Sequence, residues 1–407
     1  RRVPAGAWAV AAIAAAVLLV LAPRYGFHRD ELYFVAAGRR LAWGFPDQPP
    51  LTPLIARLAD GLPGDVSPLV VRLIPAFAIG AISVIAASLA DRFGGSRGAA
   101  VLAAAATGGA GVFLATGHLL ATATIEVLLA GLVIAVVASL IAGASPRWWL
   151  LVGGLTGLGL LNKYTMAAIV GVLVVGLLAS PARRILLNPW PWIGGVIALV
   201  MWLPNLRWQA GNGWPQLEMG RVLSDRSDGP VAFLAFQVVG LSLVLAIPAV
   251  AGFVRLWRLD GARWRAFPVA FVVLLGTFLV AGGKFYYVAP LYVPLLAAGA
   301  VWAAELTPLP RRLLIGASLA AVLAFALVAL PVVPVTSVQA LNEVNGELGE
   351  TVGWPELVAE VDRVVASLEP QQRSGAVVFT ANYGEAGALD VLGGASLPEV
   401  SSGHNGY

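Results

Sequence analysis

The first apolar run of the chain is followed directly by four ionisable residues, His28, Arg29, Asp30 and Glu31. A carboxylate pair at a membrane surface is suited to general-base catalysis, in which it takes a proton from an attacking hydroxyl or amine. The alternative is an ordinary helix start, where acidic residues are favoured by the helix dipole. Spacing alone favours the ordinary helix start, because helix starts routinely carry acids, and Asp30 and Glu31 remain the first catalytic candidates.

The chain contains 24 arginines but only two lysines, Lys163 and Lys284. Both adjoin aromatic residues, Tyr164 in the first case and the pair Tyr286 and Tyr287 in the second. A compact ammonium group suits a phosphate as a point charge. Snorkelling of the lysine to the membrane interface is the alternative. Because arginine is used almost everywhere else, we favour phosphate binding at both lysines.

Two arginines are further candidates for phosphate binding. Arg72 lies near the start of the second apolar run, and Arg207 lies in a polar segment after the seventh. A guanidinium can clamp a phosphate through two parallel hydrogen bonds. Snorkelling remains open for each of them and is the more common role.

Two more acids stand in unusual local sequence. Asp47 and Gln48 lie in a segment with four prolines in residues 46–53, which excludes a helix and stiffens the loop. A plain spacer is the alternative. Glu126 begins the fourth apolar run, where an acid is costly unless it is paired or faces a cavity. Capping of a helix start, with Thr124 beside it, is the alternative.

The composition indicates that these side chains are positioned by a membrane protein. Of 407 residues, 59% are hydrophobic and 12% are charged, about half the charged share of a soluble domain. Most of the chain must therefore face lipid. The net charge of +4 does not indicate nucleic-acid binding, because the basic residues form no continuous stripe. With no cysteine, disulfides and thiolate chemistry are excluded, and the chain has no Gly-rich nucleotide motif.

Apolar runs predict about eleven transmembrane helices, although several are shorter than the roughly 20 residues of a full crossing. Around Asn162 and Lys163 the pattern fits one long helix or two short ones joined by a turn. Because the sequence begins with Arg, we expect a trimmed N-terminus, and the flank of the first run is a poor cleavage site for a signal peptide. The predicted spans are Ala5–Leu21, Leu69–Leu89, Ala99–Leu114, Ile125–Ala142, Trp148–Leu161, Tyr164–Leu178, Trp190–Leu203, Val231–Val254, Phe267–Ala281, Tyr287–Ala304 and Leu313–Val333.

The distribution of charge predicts the orientation. If Arg1 and Arg2 are cytoplasmic and the chain crosses eleven times, the inner segments hold 13 basic and three acidic residues. The outer segments hold 13 basic and 19 acidic residues. This asymmetry follows the positive-inside rule, so we expect a cytoplasmic N-terminus and an extracytoplasmic C-terminus.

We therefore predict an all-α polytopic membrane domain over residues 1–334, with a catalytic first outer loop at 23–68. Residues 335–407 form a polar tail in which Trp354–Leu368 has a helical stripe, Ala376–Thr380 reads as a buried strand and Glu385–Leu392 as a helix. This order predicts a small extracytoplasmic α/β domain, and we expect it to continue beyond Gly406-Tyr407.

Six segments in order resemble the GT-C superfamily of glycosyltransferases that use polyprenyl-phosphate sugars, specifically the bacterial protein O-mannosyltransferase and aminoarabinose-transferase-like group. The resemblance covers most of residues 20–300. The sequence has Glu126 where Asp is more usual and Gln48 where His is common, with an additional Pro46. The segments are Asp30-Glu31, Phe45-Pro46-Asp47-Gln48-Pro49-Pro50, Arg72-Leu73-Ile74-Pro75, Gly157 to Tyr164, Pro204-Asn205-x-x-Trp208-Gln209 with Asn212-Gly213-Trp214-Pro215, and Lys284-x-Tyr286-Tyr287.

The resemblance implies transfer of a hexose or pentose from a polyprenyl-phosphate donor to a lipid, glycan or protein acceptor outside the cytoplasm. Asp30 would be the general base and Glu31 would tune or orient it. A divalent cation, Mg²⁺ or Mn²⁺, stays open. The implied donor-phosphate ligands are Lys163, Lys284, Arg72 and Arg207, and the implied substrate contacts are Asp47, Gln48, Glu126, Tyr286 and Tyr287.

A transporter or lipid flippase is the alternative from another class. Transporters often carry repeated halves with paired broken helices, and no such repeat is visible here. The acids and lysines also gather on one predicted side of the membrane rather than at its midplane, which favours the enzyme.

Overall fold

The computed structural model describes residues 2–225, 227, 229–394 and 396–406. Arg1, which is counted in the predicted inner charge, lies outside the described residues. Tyr407, at which the predicted tail domain is expected to continue, also lies outside them. The elements are α1 (Ala5–Leu21), α2 (Arg29–Arg39), α3 (Leu51–Asp60), α4 (Pro68–Arg92), α5 (Arg97–Gly109), α6 (Gly111–Gly117), α7 (Thr122–Ile141), α8 (Trp149–Leu160), α9 (Thr165–Leu178), α10 (Trp190–Gly211), α11 (Pro215–Asp225), α12 (Gly229–Val239), α13 (Ala246–Arg258), α14 (Ala266–Val280), α15 (Tyr292–Glu305), α16 (Pro308–Ala329), α17 (Val338–Asn342), α18 (Trp354–Ser367), α19 (Pro370–Ser374), β1 (Val377–Thr380), α20 (Tyr383–Leu392) and β2 (Glu399–Ser402).

The chain is a polytopic helical membrane protein. In the described residues, five helices are long and apolar enough to cross a bilayer: α4, α7, α16, and the continuous segments Arg263–Val280 and Phe285–Glu305. The pair α5 and α6, bent by 58°, makes a sixth if it counts as one span. Each of the eleven predicted runs overlaps at least one helix, and the runs Ala99–Leu114 and Val231–Val254 each cover parts of two. The other predicted runs lie on helices that are not among those long and apolar enough to cross a bilayer. The number of eleven crossings therefore stays a prediction.

The predicted single span Val231–Val254 is wrong, because the chain breaks there into α12 and α13. Ser242 and Leu243 have positive φ angles of 51° and 60°, which a helix does not allow. The break is stabilised by the start of α6, whose Gly111 amide donates to Ser242 Oγ over 2.9 Å. Around Asn162 and Lys163 the structure has two helices, α8 and α9, joined by a turn.

The tail follows the predicted helix–strand–helix order and adds β2, which pairs with β1 in parallel. The prediction of a buried strand is wrong, since Val377 and Phe379 are 60% and 73% exposed. Within the described tail, β1 and β2 form a sheet of two strands, and nothing covers its outer face.

In the described residues, apolar side chains of the tail pack in clusters that they share with the first outer loop. Leu389 of α20 and Val358 of α18 share one apolar cluster with Leu32 and Phe34 of α2. Since α2 lies in the predicted first outer loop, the tail and this loop lie on the same side of the molecule. This packing brings the tail to the acidic pair.

Candidate active site

Helix α2 begins with a capping box that sends its two acids in different directions. His28 Nδ1 accepts the amide hydrogen of Asp30 over 3.2 Å, and Glu31 Oε2 accepts that of His28 over 2.9 Å. Such reciprocal bonds satisfy amide groups that a helix start leaves free. Glu31 is fully buried, whereas the side chain of Asp30 is 38% exposed.

Glu31 and Arg72 form a buried ion pair. Arg72 Nη2 lies 2.7 Å from Glu31 Oε2, and the guanidinium also donates to the carbonyl oxygens of Ala22 and Gly26. The Leu120 amide donates to Glu31 Oε1 over 3.0 Å. Burial alone would raise the pKa of Glu31, but Arg72 and these hydrogen bonds hold it below its ordinary value. With its donors used inside the protein, Arg72 is poorly suited to the predicted phosphate role, and both side chains fit a positioning role better.

Asp30 keeps one oxygen available. The Tyr383 hydroxyl donates to Asp30 Oδ1 over 2.7 Å, and Arg29 Nε lies 3.7 Å from the same oxygen. In the described part of the chain, Oδ2 receives no hydrogen bond. A half-exposed carboxylate with one free oxygen can accept a proton from a bound nucleophile.

Asp47 lies close to Asp30. The Tyr33 hydroxyl donates to Asp47 Oδ1 over 2.6 Å, and the rings of Tyr33 and Tyr383 are 5.4 Å apart, edge to face. Burial raises the pKa of Asp47 to about 6; the bond from Tyr33 opposes this, and the charge of Asp30 adds to it. Two tyrosines therefore orient two acids side by side.

Gln48, next to Asp47, is buried, and its amide has no hydrogen-bond partner among the described residues. Leaving such a group unpaired costs about 1–3 kcal/mol, so a water or ligand group would be a favourable partner.

Lys163 is held in the turn between α8 and α9 by an acid and two aromatic rings. Its ammonium lies 3.7 Å from Glu126 Oε2, 4.3 Å from the centre of the Tyr287 ring and 4.9 Å from that of Tyr286. Thr165 donates a further hydrogen bond to Glu126. The predicted ligands Glu126, Tyr286 and Tyr287 thus surround the predicted phosphate lysine.

Hydrogen bonds bring the start of α3 to this turn. Because α3 begins at Leu51 and contains Pro53, the prediction that the prolines exclude a helix is wrong for the end of that segment; proline is tolerated there because the first helical turn needs no amide donor. The Leu51 amide donates to the carbonyl oxygen of Leu161 over 2.8 Å, and the Thr52 hydroxyl donates to Asn162 Oδ1 over 2.7 Å. Asn205 of α10 donates to the carbonyl oxygen of Trp43 over 2.8 Å. These contacts explain why distant motifs meet in one place.

The predicted residues form two groups. Asp30 and Asp47 meet through the Tyr383 and Tyr33 hydroxyls, with Gln48 adjacent in the chain. Glu126, Tyr286 and Tyr287 surround Lys163. Lys284 is half-buried and Arg207 exposed, and neither has a side-chain partner within the described residues, so their phosphate roles stay predictions.

Sequence reasoning missed Tyr33 and Tyr383. Tyr33 could have been found from its spacing, because it stands three residues after Asp30 on a helix. Tyr383 is separated from Asp30 by 353 residues, and no local pattern connects them.

A cavity of about 470 Å³ opens beside Tyr33, whose hydroxyl donates to Asp47. Its wall combines aromatic rings with amide groups, a lining that suits a polar ligand with an apolar face. It is lined by Tyr33, Phe45, Trp208, Asn212 and Asn405, among others.

The described residues contain no group of three or more His, Asp or Glu side chains placed to hold a metal ion. The donor set present does not fit a divalent cation, and no catalytic step is assigned to one.

Comparison with known proteins agrees with this arrangement. Residues 47–208 match the sequence model of the family described as dolichyl-phosphate-mannose-protein mannosyltransferase. No curated protein matches the chain.

Solved structures share the fold. ArnT from Cupriavidus metallidurans bound to undecaprenyl phosphate has a TM-score of 0.68 at 17% identity, over 96% of this chain and 89% of ArnT. The oligosaccharyltransferase AglB from Archaeoglobus fulgidus, in complex with an inhibitory peptide and a dolichol-phosphate, has a TM-score of 0.54 at 12% identity, over 96% of this chain and 64% of AglB. The chain therefore shares the fold of these two membrane proteins, and its residues 47–208 are similar to the dolichyl-phosphate-mannose-protein mannosyltransferase family.

Proposed function

We propose that the protein transfers a hexose or pentose from a polyprenyl-phosphate donor to a lipid, glycan or protein acceptor outside the cytoplasm. The observations that support this most are the half-exposed carboxylate of Asp30 and the ammonium of Lys163, which Glu126 and two tyrosine rings surround. The first can take a proton from an acceptor, and the second can hold a phosphate.

In the proposed reaction, an acceptor hydroxyl or amine attacks the anomeric carbon. Its proton passes to Asp30 Oδ2, which receives no hydrogen bond in the described structure. The bond from the anomeric carbon to the phosphate oxygen breaks, and the polyprenyl phosphate leaves with its electron pair. A single displacement of this kind inverts the anomeric configuration.

Lys163 is suited to stabilise the charge on the leaving phosphate. Its ammonium has three donors, while Glu126 lies at the long distance of 3.7 Å and the two tyrosine rings offer only their faces. Preorganised positive charge in a partly dry site lowers the energy of a developing anion. The acceptor would enter through the cavity beside Tyr33.

The direct test incubates the purified protein in nanodiscs with a panel of radiolabelled polyprenyl-phosphate hexoses and pentoses. We expect release of free polyprenyl phosphate from at least one donor. Movement of an intact donor across vesicles, without cleavage, would instead support the flippase alternative and overturn the proposal.

In the same assay we expect Lys163→Met to raise the KM for the donor about 10- to 100-fold, because a hydrogen bond to a charged group contributes about 1.5–3 kcal/mol. Lys163→Arg keeps the charge and should retain part of the affinity. Lys284→Met, measured in parallel, shows whether the second lysine shares the phosphate.

The double variant Lys163→Met/Glu126→Gln distinguishes two roles of Lys163: binding the donor phosphate, and neutralising the carboxylate of Glu126. If Lys163 holds the phosphate, the double variant stays impaired. Restored donor affinity would show that the single variant failed only because Glu126 lost its partner.

We propose an extracytoplasmic site, with the N-terminus in the cytoplasm, on the strength of the charge asymmetry. A reporter fused after Arg184 should then read as cytoplasmic and one fused after Val335 as extracytoplasmic. The same compartment for both reporters would contradict this orientation.

A further inference from the structure

Helix α20 of the tail packs against α2 at backbone distance. A Cβ atom placed on Gly387 would lie 3.0 Å from the backbone of Leu32 and Tyr33, and one placed on Gly384 would lie 2.7 Å from Arg29 Cβ. This closeness leaves no room for a side chain at Gly384 or at Gly387. The position of Tyr383, the first residue of α20, is therefore determined relative to Asp30.

We propose that Tyr383 is a positioning residue for the base: its hydroxyl holds Asp30 Oδ1 and so presents Oδ2 to the acceptor. The bond of 2.7 Å from Tyr383 uses one carboxylate oxygen, and the described residues leave the other without a hydrogen bond. This inference rests on the proposed function, in which Asp30 takes the acceptor proton.

The surroundings of Tyr383 support this role. Its ring lies edge to face against Tyr33, which in turn donates to Asp47, and the Arg29 guanidinium lies 5.8 Å from its ring centre. Burial and the charge of Asp30 raise the pKa of Tyr383, so its phenol stays protonated and remains a donor.

A donor to a carboxylate stabilises its charged form and restricts its rotation. The tail thereby gains a chemical function in addition to its packing, because a residue from the far end of the chain sets the orientation of an acid in the first outer loop. The balance of the reaction is unchanged: the proton still passes from the acceptor to Asp30.

The test compares Tyr383→Phe with the wild type. The substitution keeps the ring against Tyr33 and removes only the hydroxyl. We expect kcat to fall about tenfold, equivalent to about 1.4 kcal/mol, with the donor KM unchanged, because the carboxylate of Asp30 is no longer held in one orientation. Tyr25→Phe is the matched control, since the Tyr25 hydroxyl donates over 2.7 Å to the carbonyl oxygen of Val333 rather than to an acid of the site; it should leave both quantities unchanged.

A wild type that cleaves no donor would overturn the proposed function. In a wild type that does cleave donor, an unchanged kcat in Tyr383→Phe, or an equal fall of kcat in Tyr25→Phe, would overturn this inference alone.

Discussion

Asp30→Asn should reduce kcat by a factor of roughly 10² to 10⁴, because that is the usual cost of losing a general base. Asparagine has the size of aspartate and can still accept the Tyr383 hydroxyl, so the bond of 2.7 Å need not break. What disappears is the ability of the free oxygen to take a proton. The measurement is single-turnover transfer with saturating donor, with donor affinity determined separately and expected to stay unchanged.

Asp60→Asn is the matched control for this substitution. Asp60, at the end of α3, forms an ion pair with Arg39. This ion pair takes no part in the proposed chemistry. It should retain full activity. Normal turnover by Asp30→Asn would show that another carboxylate is the base, and Asp47, with its pKa of about 6, would be the next to test.

The largest effect on stability is expected for Glu31→Gln. Removing one partner of a buried ion pair typically costs about 3–5 kcal/mol, since the remaining charge is left without compensation. The side chains of Arg72 and Glu31 are 2% and 0% exposed, so water cannot replace the lost partner. We expect a strongly lowered midpoint of thermal unfolding in detergent, together with a loss of monodisperse protein.

Glu350→Gln makes the same substitution at an exposed ion pair, that of Arg29, where both side chains are more than one-third exposed. Such pairs contribute about 0–1 kcal/mol, so this variant should unfold close to the wild type. The comparison also decides the role of Glu31. A Glu31→Gln protein that keeps its unfolding midpoint and yet loses all transfer would show that Glu31 acts in the chemistry and not as the partner of Arg72.

The difference between Asp30 and Glu31 shows where sequence reasoning stops. Both acids have the same neighbours along the chain, and both were catalytic candidates. Their environments differ because α2 turns by about 100° per residue, which directs Glu31 towards Arg72 and Asp30 towards the tail. The two basic residues Arg72 and Lys163 differ in the same way. The donors of Arg72 bind Glu31 and backbone carbonyl oxygens, whereas the ammonium of Lys163 keeps donors available.

The sequence by itself determines the membrane class, places at least one helix in each apolar run and carries the GT-C resemblance, and it also singles out Glu126, Tyr286 and Tyr287, which surround Lys163. These follow from composition, from periodicity and from rare residues such as the two lysines, all of which are local properties of the chain. Only the tertiary structure decided the break between α12 and α13, the burial of Glu31 with Arg72, and the bond from Tyr383 to Asp30. Each of these depends on contacts between segments far apart in the chain, and such contacts leave no local pattern because their energy comes from which surfaces meet after folding.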